Sequence, residues 1–239
     1  MSTTTSPEDI TRLGLRDLVH DRLLEILLTG EISPGERVSI DGLARRLNVS
    51  PTPIREALVD LERTGLVVRE ALRGYRVAPP LDREQLAELC EARETVEARA
   101  ARLATPADAG FLAQLRTLQA AHEEAGRRVA TARTSADAER DHLIADAQDY
   151  FHRDQDFHEA ILARCGNRYL VQMSHGLGAQ IHRLRQTLPH GVTDVDEAVA
   201  EHQAIIDAFA SADPDAPEEA MRTHIRNVAA RALAENEEA

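Results

Sequence analysis

Apolar residues recur at helical spacing along most of the chain, and the breaks in that rhythm divide it. Leu15, Leu18, Val19, Leu23, Ile26 and Leu27 return near every 3.6 residues, which predicts a helix over 15–28. Gly30 and Ser33-Pro34-Gly35 end it. Leu43, Ala44 and Leu47 then share one face of a short helix over about 40–47, broken at Asn48-Val49. Ser50 is placed to cap a second helix. Pro51 suits its first position, where a backbone N–H would have no helical partner anyway. Ile54, Ala57, Leu58 and Leu61 form the apolar stripe of that helix, with Thr52, Arg55, Val59 and Arg63 opposite. After Gly65 the pattern shortens. Residues 66–69 and 75–77 read as strands around the turn Ala71-Leu72-Arg73-Gly74. Two short helices, a tight turn and a basic hairpin predict a winged helix-turn-helix over 10–78, preceded by a polar tail over 1–9. The second helix would offer the Thr52 hydroxyl and the Arg55 guanidinium at the end that enters the DNA major groove.

Ala78-Pro79-Pro80 interrupts the pattern and marks a domain boundary. From there to residue 236 the chain reads as helix, in segments near 82–104, 105–129, 138–165, 169–188, 195–209 and 217–234. Thr105 is placed as the cap of the second segment, with Pro106 at its first position. The fold class expected is therefore mainly α: an N-terminal winged helix-turn-helix with a small β wing, then an all-α antiparallel helical bundle.

Composition narrows the chemistry. Aromatic residues make up 3% and Trp is absent, so the cores must be built from Leu, Ile, Val and Ala. No apolar run reaches the length of a membrane span, and no signal peptide is visible at the N-terminus. Cys90 and Cys165 lie far apart without a CxxC pattern, as expected of small core residues in a reducing compartment; the cytoplasm is the expected location. The net charge of −13 argues against DNA binding only until its distribution is read. Residues 1–80 carry 11 arginines against 12 acidic residues, so the acidity belongs to the helical half.

Polar residues on apolar stripes carry the remaining signal. Tyr150, Phe151, Phe157, Ile161, Leu162 and Cys165 form one arc, and Asp154 and His158 fall in its middle, one turn apart. His202 is surrounded on its face by Val195, Ala198, Val199, Ile205, Ile206 and Phe209. His224 shares a face with Ala220, Met221 and Val228. A buried carboxylate and buried imidazoles need partners. Converging, the four would make a site for a divalent ion: Zn, Ni, Mn or Fe, with positions open to a ligand oxygen. The alternatives are an internal Asp154–His158 ion pair among satisfied core histidines, or a metal-dependent enzyme in the helical half. Arg93 also lies on an apolar face, with Glu97 one turn on. It reads either as half of an internal pair or as a guanidinium that holds a carboxylate. Arg185 borders the stripe of Leu170, Met173, Leu177, Ile181 and Leu184 and can be read the same way. His20, His122, His142, His152 and His190 carry no special signal.

The motifs together resemble the GntR family of bacterial transcription regulators, in its FadR-like branch with an all-helical FCD effector domain. The resemblance runs from about Leu15 to Leu233. It rests on Ser33-Pro34-Gly35-Glu36-Arg37, Leu43-Ala44, the run from Val49 through Leu58, Leu61, Gly65-Leu66 and Arg73-Gly74-Tyr75-Arg76-Val77. In the second half it rests on Arg93 with Glu97, Asp154 with Phe157-His158, Glu201-His202, and His224. It implies a homodimer on a palindromic double-stranded operator, contacted by Arg37, Ser50, Thr52, Arg55 and the wing residue Gly74. It also implies a metal on Asp154, His158, His202 and His224, with a small organic acid bound beside it. One departure is visible: Pro51 stands where many relatives carry Arg, so the operator sequence cannot be inferred by analogy.

Overall fold

The computed structural model describes residues 7–28, 30–63, 65–134, 140–187 and 194–235, excluding the side chains of 7–14, 16–17, 28, 133–134, 140–141, 143–144, 179, 182–187 and 235. The chain divides into two compact units, Met1–Pro80 and Leu81–Ala239.

The first unit begins with α1 (Pro7–Leu28), which starts inside the stretch expected to be a polar tail. Residues 1–6 of that tail lie outside the described residues. β1 (Arg37–Val38), α2 (Ile40–Leu47), α3 (Pro51–Arg63), β2 (Val67–Glu70) and β3 (Gly74–Val77) follow. Val19, Leu23, Ile26 and Leu27 of α1 are buried, as are Ile54, Ala57, Leu58 and Leu61 of α3, and α1 packs on α3. Ser39 caps α2 by accepting from the Gly42 N–H at 3.1 Å, and Asn48 ends it in the left-handed region at φ 52°.

The sheet is antiparallel, in order β1-β3-β2, with Val67 opposite Val77 and Arg37 opposite Arg76. β1 is absent from the sequence reading because two residues have no period to detect. The hairpin turn also differs. Strand pairing extends to Glu70 opposite Gly74, which leaves Ala71–Arg73 as a three-residue turn. Leu72 occupies its tip at φ 62°, fully exposed.

The second unit consists, among the described residues, of six helices: α4 (Arg83–Leu103), α5 (Ala109–Thr134), α6 (Arg140–Arg164), α7 (Arg168–Thr187), α8 (Val195–Ala210) and α9 (Ala216–Glu235). α4 packs on α6, α7 and α9; α5 packs on α6 and α8; and α8 packs on α9. This encloses a core of Phe111, Leu115, Phe157, Ile161, Ile205, Ile206, Phe209, Met221 and Ile225.

Asp82 starts α4 with a reciprocal capping box. Its carboxylate accepts from the Gln85 N–H at 2.9 Å, and the Gln85 side chain accepts from the Asp82 N–H. α5 begins later than the sequence suggests. Its cap is Asp108, which accepts from the Phe111 N–H at 2.8 Å, and not Thr105. The reason is tertiary. Arg164 of α6 donates to the carbonyls of Ala104 and Pro106 at 3.1 and 2.8 Å and holds the connection outside a helix.

Candidate functional site

In the first unit, α3 begins at Pro51 and keeps its apolar stripe inside. Thr52, Arg55 and Arg63 consequently stand exposed on the outer face, with Ser50 exposed just before the helix. Arg37 on β1 and Gly74 at the start of β3 are exposed on the wing sheet. Gly74 has φ 85°, a conformation that a side chain would strain. Arg76 is less available than its neighbours: it donates to Glu70 at 3.0 Å and to the Gly35 carbonyl. That pairing holds the Glu70 carboxyl below its ordinary range. Arg69 and Arg73 flank the wing turn and remain exposed.

In the second unit, four side chains from three helices converge. Asp154 and His158 come from α6, His202 from α8 and His224 from α9, and one donor atom from each lies within 4.8 Å of all the others. The His158 Nε2 and His202 Nε2 atoms face Asp154 Oδ1 at 3.8 and 3.5 Å. The imidazoles are buried, whereas the Asp154 side chain is 18% exposed and is where the group reaches solvent.

Each imidazole is held from behind through its other nitrogen. His158 Nδ1 lies 2.6 Å from Glu97 Oε2, and Glu97 accepts from Arg93 Nε at 2.8 Å. His202 Nδ1 lies 3.2 Å from Gln119 Oε1. His224 Nδ1 lies 2.8 Å from Glu201 Oε2, and Glu201 also accepts from Arg231 and from Asn227. Arg231 continues to Asp194, just ahead of α8, at 2.7 Å. All three rings therefore present Nε2 to the shared centre, and their outer partners orient them as metal-bound imidazoles are oriented.

Electrostatics follow from the same contacts. Burial alone would push the Glu97 carboxyl up, but Arg93 and His158 outweigh it and hold it well below the usual carboxylate range. Burial opposes ionisation of Glu201 too, yet hydrogen bonds from His224 and Arg231 hold it down to about 2. Burial and the neighbouring His224 push His202 well below its ordinary value, against the pull of Asp154. Burial also lowers His224, against its bond to Glu201. His202 and His224 are thus neutral near pH 7, the state in which an imidazole offers a lone pair.

The residues present fit a divalent ion. The His158 Nε2 and His202 Nε2 atoms are buried and have no hydrogen-bond partner, a costly state that a bound cation removes. Arg93 is buried with its Nε committed to Glu97, so the internal pair left open by the sequence exists. Arg185 belongs to α7, but its side chain lies outside the described residues.

Four residues around this centre were given no role from the sequence: Gln119, Arg231, Glu201, which entered only beside His202 in the resemblance, and His122, which carried no special signal. Gln119 and His122 lie on the buried stripe of α5 with Phe111, Leu115, Ala125 and Val129, and the rule that found His158 would have found both. The His122 ring sits 4.4 Å from Tyr150 and 4.9 Å from His202, centre to centre. Glu201 and Arg231 had no such signal, since each lies on the partly exposed flank of its helix.

Comparison with known proteins places both halves. Residues 15–77 match the gntR family of bacterial regulatory proteins, and residues 88–227 match the FCD domain. The chain is 30% identical over 217 residues to the HTH-type transcriptional repressor GlaR of Escherichia coli K12, covering 89% of this chain and 90% of that one. It is 27% identical over 216 residues to a Paenarthrobacter nicotinovorans protein named "Probable D-xylose utilization operon transcriptional repressor", covering 90% of this chain and 88% of that one. Among solved structures, E. coli McbR/YncC resembles it with a TM-score of 0.72 at 21% identity, over 92% of this chain and 97% of that one. No described helix is long and apolar enough to cross a membrane.

Proposed function

The chain belongs to the GntR family of DNA-binding transcriptional regulators, in the branch with an FCD domain, and from that premise we propose a metal-dependent, carboxylate-responsive repressor. Members of this family are regulators and not enzymes. In the proposal, the protein works in the cytoplasm as a homodimer on a palindromic operator. Thr52 and Arg55 read base edges, while Arg37, Ser50 and the Gly74 wing contact the backbone and adjoining groove. Repression is the reading because relatives such as GlaR carry that name.

The observation that carries the metal reading is the shared arrangement of three imidazoles. Each has Nδ1 against an acceptor, and the centre they face contains one carboxylate. Asp154, His158, His202 and His224 would hold the ion, which when bound supplies a Lewis-acidic site for an oxygen ligand. A divalent ion with an open position would give a carboxylate a direct cationic partner beside Asp154. Arg185, and the part of the Arg93 guanidinium not committed to Glu97, would pair with such an effector. The unbonded Nε2 atoms of His158 and His202, which face the shared centre, support this reading over a purely structural polar core.

Stoichiometric transition metal by elemental analysis of the purified protein tests the metal half. For the DNA half, Arg55→Ala is expected to weaken binding to an operator selected from random DNA by about 1–3 kcal/mol at matched salt, with unchanged melting. An unaltered isotherm would remove Arg55 from the reading surface. For assembly, residues 81–239 alone are expected to sediment as a dimer at micromolar concentration; a monomer there would move the interface out of the helical half.

A further inference from the structure

We infer that Gln119 is a positioning residue for the metal: its side-chain amide selects the His202 tautomer that offers Nε2 as a ligand. This rests on the metal reading above. Gln119 Nε2 donates to the Val199 carbonyl at 2.7 Å. A carbonyl can only accept, so the amide nitrogen must occupy that end, and Oε1 is thereby turned toward His202 Nδ1 at 3.2 Å. Oε1 in turn can only accept. His202 must therefore carry its proton on Nδ1, and its lone pair falls on Nε2, the atom facing Asp154 Oδ1 at 3.5 Å.

Packing cannot make that choice. The Phe157 ring lies parallel to His202 at 4.1 Å and 10°, and His122 lies 4.9 Å away at 38°. These contacts fix the plane of the imidazole, and either tautomer fits them equally well. Gln119 differs from the other outer partners in its chemistry. Glu97 and Glu201 lie against their rings and bring negative charge to His158 and His224. Gln119 brings no charge, so its contribution is direction alone. It also ties α5 to the turn of α8 that carries His202, because Val199 stands three residues before it.

The test compares full-length wild type, Gln119→Leu and Gln119→Glu by zinc titration against a chromophoric chelator. Histidine ring nitrogen chemical shifts are also recorded on the metal-free proteins. Gln119→Leu is expected to lose roughly 10–100-fold in zinc affinity and to give His202 a mixed tautomer. Gln119→Glu, which retains an acceptor for Nδ1 but loses the donor to Val199, is expected to keep the proton on Nδ1 and to bind zinc more tightly than Gln119→Leu. Wild-type affinity in Gln119→Leu overturns the inference, as does a wild-type His202 protonated on Nε2. The latter spectrum decides the matter even if Gln119→Leu does not fold. A wild type that binds no zinc yet shows the Nδ1 proton removes the metal reading and leaves the tautomer assignment standing.

Discussion

Chelation of the purified protein is expected to lower the melting temperature of the helical half by on the order of 10 °C, with recovery on adding zinc or nickel. A ligand that binds only the folded state at about a thousand times its dissociation constant stabilises that state by about 4 kcal/mol. For a domain of this size each kcal/mol shifts melting by roughly 2–4 °C. The structural motive is the buried centre: three imidazoles, each set against an outer partner, face one carboxylate, and the His158 and His202 Nε2 atoms are unbonded. His202→Ala should melt near the chelated wild type and should no longer respond to divalent ions. Response to carboxylates, scored by thermal shift, should disappear in both. Stoichiometric metal retained by His202→Ala would overturn the assignment. So would a metal-free wild type whose melting ignores added zinc and nickel, and the histidines would then be a structural core.

The second large effect lies one step further from the centre. Arg93→Met is expected to destabilise the domain by about 3–5 kcal/mol in urea unfolding, because it strands the Glu97 carboxylate in the interior. In the chelated protein the double variant Arg93→Met/Glu97→Leu should recover part of that loss, since apolar side chains of similar volume can replace a buried pair even though His158 then loses its outer partner. The measurement separates two roles for Arg93. If it serves only an effector, the single variant keeps its stability and loses only the carboxylate response. The geometry, with Arg93 Nε on Glu97 and Glu97 on His158, favours the destabilising outcome.

The reading head was largely legible because its signals are local. Pro51, the stripe from Ile54 to Leu61 and the hairpin all lie within a few dozen residues, and each obeys a short-range rule. The metal candidates were legible for a different reason: Asp154, His158 and His202 interrupt stripes whose other members are apolar. His224 followed on a less regular stripe. Their outer partners divide into two kinds. Gln119 and His122 sat in an equally apolar stripe and were passed over. Glu201 and Arg231 gain their meaning only when α8 and α9 pack, across 30 residues of sequence, and no periodicity encodes that pairing. The cap of α5 was misplaced for a related reason. Thr105 and Asp108 are both competent caps, and the choice is made by Arg164 from another helix.

The uneven exposure of the four central side chains sets a timescale as well as an affinity. His202 is fully enclosed, His158 and His224 nearly so, and Asp154 alone among them meets water appreciably. An ion would arrive at the carboxylate first and reach the imidazoles only through a local opening of the bundle, and it would leave by the reverse route. Occupancy would then turn over slowly, while an oxygen ligand on the wet side of the ion exchanges quickly. Such a centre would report the organic ligand of the moment and average over fluctuations in metal supply.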